Sequence, residues 1–311
     1  MTAPTPPAAT PLAVRPGSAL AWGIALRPKT LWIATIPVIV ATCLAWSVAG
    51  AFDPLIALIA LAAAVLMQVV TNLQNDVGYT ERGGETGTRV GLPRATANGW
   101  LSVPAVRGAI VAAVIAAVLV GAPLMVYRGW PVALIVASSI VAAWAYMGGP
   151  KPIAYTPCGD VTVFLFFGLM AVCGTIYVQA GTIGTAGWLA GIAIGLLAAS
   201  VLTVNNHRDI AHDATTGRRT LSVALGAAGS RAVYRASVLG AFALVPAIAW
   251  TAGSAWYLLP LVLLPRALAL LAAFDAAPGG HAYTPLLFRT VILEAGFGIA
   301  LTSGALFSRL V

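Results

Sequence analysis

The chain has 311 residues, 60% of them hydrophobic and only 8% charged, with a mean hydropathy of +0.93. Soluble domains carry about 25% charged residues, so this composition excludes an ordinary soluble domain and makes the bilayer the solvent. A net charge of +8 would suggest nucleic acid in a soluble protein, but its placement along this chain fits membrane topology and no nucleic-acid partner.

In chain order, residues 1–18 are rich in Pro, Ala and Thr and read as a disordered tail. They lack a basic start followed by an apolar core, so no signal peptide is expected. Residues 19–311 read as one transmembrane domain. A spanning helix needs about 20 mostly apolar residues. Nine stretches qualify: 31–49, 55–75, 104–126, 130–147, 161–180, 186–205, 233–251, 255–274 and 286–307. The expected fold is therefore all-α, a polytopic bundle. Pro37, Pro123 and Pro246 fall inside helices, which membrane bundles tolerate. Cys43, Cys158 and Cys173 lack metal-ligand spacing and read as small hydrophobes.

With nine spans, fifteen of the seventeen lysines and arginines fall on the N-terminal side, and only Arg128 and Arg309 on the other. Basic loops stay in the cytoplasm, so the N-terminus is expected inside, in a bacterial cytoplasmic membrane. Two long polar loops, 76–103 and 206–232, stand on that side and hold five of the nine acidic residues. Loops on a rigid scaffold are where function concentrates.

The first loop opens with Asn72-Leu-Gln-Asn75-Asp76-Val-Gly-Tyr79 and continues through Glu81, Arg82, Glu85, Arg89 and Arg94. The second opens with Asn205-Asn206-His207-Arg208-Asp209 and continues through His212, Asp213, Gly217, Arg218 and Arg219. Residues three, four and seven apart share a helix face. Asn72, Asn75, Asp76 and Tyr79 should line one stripe, and Asn206, Asp209 and Asp213 another. A weak echo at a constant offset pairs Asn72 with Asn205, Asp76 with Asp209 and Gly84 with Gly217. Carboxylates with amide oxygens suit a hard cation such as magnesium, which is usually held by one or two carboxylates plus substrate phosphates. Arginine forks suit phosphate oxygens. Together they describe a diphosphate clamped through metal above apolar walls, hence a ligand with a hydrocarbon body. One such cluster is as readily plain interfacial solvation; two on one side are not, and intramembrane ionisable groups mark function.

These motifs resemble the UbiA-type superfamily of intramembrane prenyltransferases over nearly the whole chain. The closest likeness is to the branch that prenylates 1,4-dihydroxy-2-naphthoate in menaquinone biosynthesis. It is carried by Arg27-Pro-Lys29, Asn72–Asp76, Tyr146–Tyr155 with Gly159-Asp160 and Phe164–Gly168, and Asn205–Asp209 with Gly217–Leu221. The resemblance implies nine helices around a central cavity, a cytoplasmic cap and magnesium-dependent transfer from a polyprenyl diphosphate to an aromatic acid. It implies Asp76, Asp209 and Asp213 as catalytic, metal-binding residues. Asn72, Asn75, Arg82, Arg89, Asn205, Arg208 and Lys151 would bind diphosphate. The family pattern carries aspartates where this chain has Tyr79 and Glu85, which makes Glu85 a substitute ligand. Arg27, Lys29 or Lys151 would hold the acceptor's carboxylate. Tyr146 and Tyr155 either stack on its ring or anchor the interface, and Asp160 either orients a hydroxyl or caps its helix. Glu294 either faces the cavity or pairs with Arg289. Other aromatic acceptors, and a secondary transporter, are the alternative readings.

Overall fold

The computed structural model describes residues 14–84 and 91–311. Among them are nine helices long and apolar enough to cross a membrane: Trp32–Ala49, Pro54–Glu81, Val103–Arg128, Trp130–Met147, Cys158–Ala180, Thr185–Arg208, Leu221–Ala252, Ala255–Ala276 and Gly280–Leu310, here the first to ninth spans. Every expected span is present, and no strand occurs among the described residues. The protein is an integral membrane helical bundle.

Local chemistry fixes the helix starts. Asp53 accepts from the N–H groups of Leu55 and Ile56 ahead of the second span. Ser102 caps the third span and Thr220 the seventh in the same way. Such caps satisfy amides that have no partner inside the helix. The second span runs through the first motif to Glu81, beyond its expected end near residue 75, because nothing breaks the helix before the Gly83-Gly84 pair. The seventh span likewise starts inside the stretch expected as loop. Both polar segments are thus partly helical, and Asp76, Glu81 and Asp213 ride on helices.

The fifth span is wound as a π-helix over Phe164–Cys173. At Gly168 a Cβ would stand 2.5 Å from Gly191 O and Gly195 Cα of the sixth span. The wide turn and the missing side chain let these two backbones meet. Gly78 does the same for the fourth span, where a Cβ would lie 2.6 Å from Met147 Cβ. That contact seats the first motif against the loop that follows Met147.

The largest apolar core joins the first and the fifth to ninth spans around Val172, Ile194, Leu197, Val238, Ile248, Tyr257 and Phe297. Glu294 is buried on the ninth span, and neither carboxylate oxygen has a hydrogen-bond partner. It does not line the cavity and does not pair with Arg289, so neither reading of this residue is met.

Candidate active site

A cavity of about 390 Å³ lies between the spans. Along the second span it touches residues from Ala60 to Tyr79, roughly 28 Å at a helical rise of ~1.5 Å per residue. In depth its walls are apolar, with Ala63, Leu124, Val136, Phe167, Met170 and Val291. At the motif end the lining is cationic: Arg27, Lys29, Arg94, Arg208 and Arg218 stand with Asn72, Asn75 and Asn205. No carboxylate lines the cavity among the described residues. This polarity matches a long hydrocarbon with an anionic head.

The second motif presents two of those cations. Arg208, at the last turn of the sixth span, donates through Nε to Asp209 Oδ1 at 2.9 Å and through a terminal nitrogen to Asp209 Oδ2 at 2.8 Å. It also donates to Asn205 Oδ1 at 2.8 Å. Asp213 follows one turn on, in the short helix Ile210–Thr215. Its Oδ1 accepts from Arg218 at 2.8 Å, while its Oδ2 is buried without a partner. Burial pushes the Asp213 carboxyl up to about 6, with Arg218 opposing the rise and Asp209 adding to it. Burial likewise works against the Arg218 charge, but Tyr79 and Asp213 outweigh it and hold the guanidinium protonated.

The first motif does something else. Asp76 is fully buried and turned to segment 91–101. Its Oδ1 accepts from the Thr96 N–H at 2.8 Å and the Thr96 hydroxyl at 2.6 Å, and its Oδ2 from the Ala95 N–H at 2.8 Å. The expected stripe of Asn72, Asn75, Asp76 and Tyr79 therefore splits, because the amides of that segment draw Asp76 off the cavity. Asn72 reaches the cavity edge, but its amide donates to Leu26 O at 2.8 Å and accepts from Gln68 at 3.1 Å. It fastens the turn that presents Arg27, which sits in the left-handed region at φ 52°. Such strain in a non-glycine residue is kept where the surroundings over-determine it. Tyr79 lies between two cations, with Arg94 4.3 Å and Arg218 5.1 Å from its ring centre, and its hydroxyl accepts from Arg218.

Between the motifs lies the loop after Met147. Arg82 donates to Met147 O at 3.2 Å and to Gly149 O, and packs over the Tyr155 ring. Arg218 donates to Ala154 O at 3.3 Å, and Arg219 N–H to Tyr155 O at 3.1 Å. Burial raises the Tyr155 phenol against the pull of Arg218. His212 Nε2 lies 3.0 Å from Gly84 O and ties the second motif to the first.

Of the expected ligand-binding residues, Arg27, Lys29, Asn72, Asn75, Tyr146, Asn205 and Arg208 line the cavity. Arg82, Lys151 and Tyr155 do not: Arg82 and Lys151 are exposed, Arg82 holding the loop carbonyls and Tyr155 forming part of that loop. Asp160 is buried behind the wall, where it accepts from the Thr203 hydroxyl at 3.0 Å and from the Asn206 amide; it neither faces the cavity nor caps its helix. Glu85 and Arg89 fall outside the described residues. Two cavity cations, Arg94 and Arg218, stood in the quoted motifs without an assigned role. Arg94 directly precedes the turn at 95–99 and Arg218 directly follows the Thr216-Gly217 turn, and no spacing in the sequence marks either as facing the cavity.

Among the described residues no group of three or more His, Cys, Asp or Glu could hold a metal. Magnesium does not need one, since one or two carboxylates plus phosphate oxygens suffice. The donor set fits one cation at the second motif, where Asp213 Oδ2 is orphaned and Asp213 N–H donates to Asp209 O at 2.8 Å, placing the two a turn apart. It does not fit at Asp76 or at Asp209, whose carboxylate oxygens are filled.

The model of the UbiA prenyltransferase family matches residues 34–292. A 1,4-dihydroxy-2-naphthoate octaprenyltransferase of Escherichia coli (strain K12) is 38% identical over 226 residues, 71% of this chain and 73% of that protein. One from Mycobacterium tuberculosis is 33% identical over 93% of this chain and 98% of its own. In fold, the chain is similar to a UbiA homologue from Aeropyrum pernix K1, with a TM-score of 0.69 at 17% identity over 88% of this chain and 96% of that one. A UbiA homologue from Archaeoglobus fulgidus, solved bound to DMAPP and Mg2+, gives 0.64 at 15% identity over 91% and 99%.

Proposed function

The chain belongs to the UbiA prenyltransferase family, and from that premise we propose that it transfers a polyprenyl group from polyprenyl diphosphate to 1,4-dihydroxy-2-naphthoate. The observation that carries this reading is the cationic end of an otherwise apolar cavity, with no carboxylate among the described residues that line it. The retention of basic loops in the cytoplasm supports a bacterial cytoplasmic membrane with the N-terminus and cavity mouth inside.

Arg94, Arg208 and Arg218 receive the diphosphate, and the apolar depth takes the hydrocarbon. The aspartates behind Arg208 and Arg218 fix their forks before substrate arrives, so little reorganisation is left for the reaction. Magnesium, when bound, would neutralise charge on the departing diphosphate, and Asp213, whose Oδ2 is unfilled, is the residue that would hold it. The allylic C–O bond breaks and its electron pair leaves with diphosphate. The naphthoate carbon bearing the carboxylate attacks the allylic carbon. The bond to the carboxylate then breaks, its electrons return to the ring and CO2 departs, leaving the reduced form of demethylmenaquinone. Arg27 and Lys29 hold the acceptor's carboxylate, and Tyr146 stacks on its ring. The apolar walls in depth keep water from the allylic centre.

The test is prenyl transfer by purified protein in liposomes, with 1,4-dihydroxy-2-naphthoate and a polyprenyl diphosphate, in magnesium or EDTA, beside Asp213→Asn. Magnesium-dependent product that is lost in the variant supports the reading. Product with another aromatic acid but none with naphthoate overturns the acceptor and keeps the transfer.

A further inference from the structure

We propose that Asp76, expected among the metal ligands, instead latches segment 91–101, and with it Arg94, over the anionic end of the cavity; this rests on reading that end as a diphosphate site. Both Asp76 oxygens are filled by three donors from Ala95 and Thr96, at 2.6 to 2.8 Å. The Thr80 and Thr96 hydroxyl oxygens lie 2.6 Å apart, which closes the group from the helix side. Hydrogen bonds to an ionised acceptor are the strong class, and a cation on Asp76 must displace all three.

The segment so held is compact. Asn98 N–H donates to Arg94 O, Gly99 N–H to Thr96 O and Trp100 N–H to Ala95 O, while Gly17 N–H reaches back to Trp100 O. Ala95 and Leu101 pack on Leu73 and Val77 of the second span. Arg94 is the residue immediately before the latched pair. It lines the cavity and lies over Tyr79. Asp76 therefore acts on the anion through the backbone of Ala95 and Thr96, as a positioning residue. The cation falls to the second motif, where Asp213 Oδ2 is unfilled.

The experiment uses the full chain in detergent, with Mn2+ binding read by electron paramagnetic resonance, inorganic pyrophosphate binding by calorimetry and amide exchange by mass spectrometry. Asp213→Asn should weaken Mn2+ at least about tenfold, since it removes a charged ligand. Asp76→Asn and Thr96→Val should move Mn2+ affinity by less than roughly threefold, yet weaken pyrophosphate by about tenfold, as Arg94→Ala does, the effect of losing a charge-assisted hydrogen bond. Both should speed exchange at residues 95 and 96. Thr96→Val touches no candidate metal ligand, so it keeps the test decisive if Asp76→Asn does not fold. The latch is overturned if Asp76→Asn weakens Mn2+ as Asp213→Asn does while Thr96→Val leaves pyrophosphate unchanged, or if exchange at 95 and 96 is indifferent to both. Wild-type protein that binds no pyrophosphate sinks the diphosphate reading instead, and exchange alone then decides the latch.

Discussion

Asp76 and Asp209 each follow an asparagine by four residues at the end of a span, but they hold different things. Asp76 accepts two backbone N–H groups and a hydroxyl from segment 91–101, whereas Asp209 accepts both its bonds from its neighbour Arg208. The cause is what the chain does next. After Glu81 the helix stops, and the chain later crosses the helix end as a turn with amides to spare. After Asp209 a new helix begins at Ile210 and uses its amides internally, so only side chains remain to meet the aspartates. Similar carboxylates therefore become a loop anchor in one place and arginine holders in the other.

The largest expected effect comes from breaking the arginine side. Arg218→Ala removes the partner of buried Asp213 and the bonds to Ala154 O and the Tyr79 hydroxyl. It should cost about 3–5 kcal/mol, the usual loss when a buried pair keeps one charge. Thermal unfolding in detergent would register it, with Arg218→Lys restoring only part. Next, Asp209→Asn loosens the Arg208 fork without removing a cavity cation. Prenyl transfer should fall about a hundredfold, the range seen when one preorganised donor is lost, with little change in melting temperature. A similar rate beside a wild-type melting point would mean that Arg208 needs no holder. Tyr79→Phe then sharpens the contrast at the seam. It deletes the hydroxyl that meets Arg218 but keeps the ring under Arg94, so the cost should be about 1 kcal/mol, measurable by urea or thermal titration. Smallest of all, Arg107→Ala breaks an exposed pair with Glu81 on the first motif's outer side. Exposed pairs contribute under about 1 kcal/mol, and neither stability nor transfer should move.

Much of this was legible beforehand. Span number, positions and the gathering of charge at one end follow from hydropathy and loop charge. So does the approximate place of the site, since polar residues at membrane depth have few structural excuses. What misled was helical periodicity at the first motif: Asn72, Asn75, Asp76 and Tyr79 do ride one helix, but Asp76 was aimed away by a segment nearly twenty residues downstream. Lys151 and Arg82 had the right charge beside the right loop, yet they lie outside the cavity. Arg94 and Arg218 were visible in the motifs, and no spacing rule shows that a loop residue turns back over a helix end.

The amino-acid sequence by itself determined that the protein is a helical membrane bundle, with nine spans among the described residues and its charge gathered at one end of them. Those properties are sums over many residues of transfer energy and charge, and such sums survive local error. Only the tertiary structure decided which side chains face the cavity. That choice turns on single hydrogen bonds between distant segments, such as Asp76 with Thr96 and Arg218 with Tyr79. A buried donor or acceptor left unmet costs about 1–3 kcal/mol, enough to turn a carboxylate from a cavity to a loop and too local to be read from composition or period.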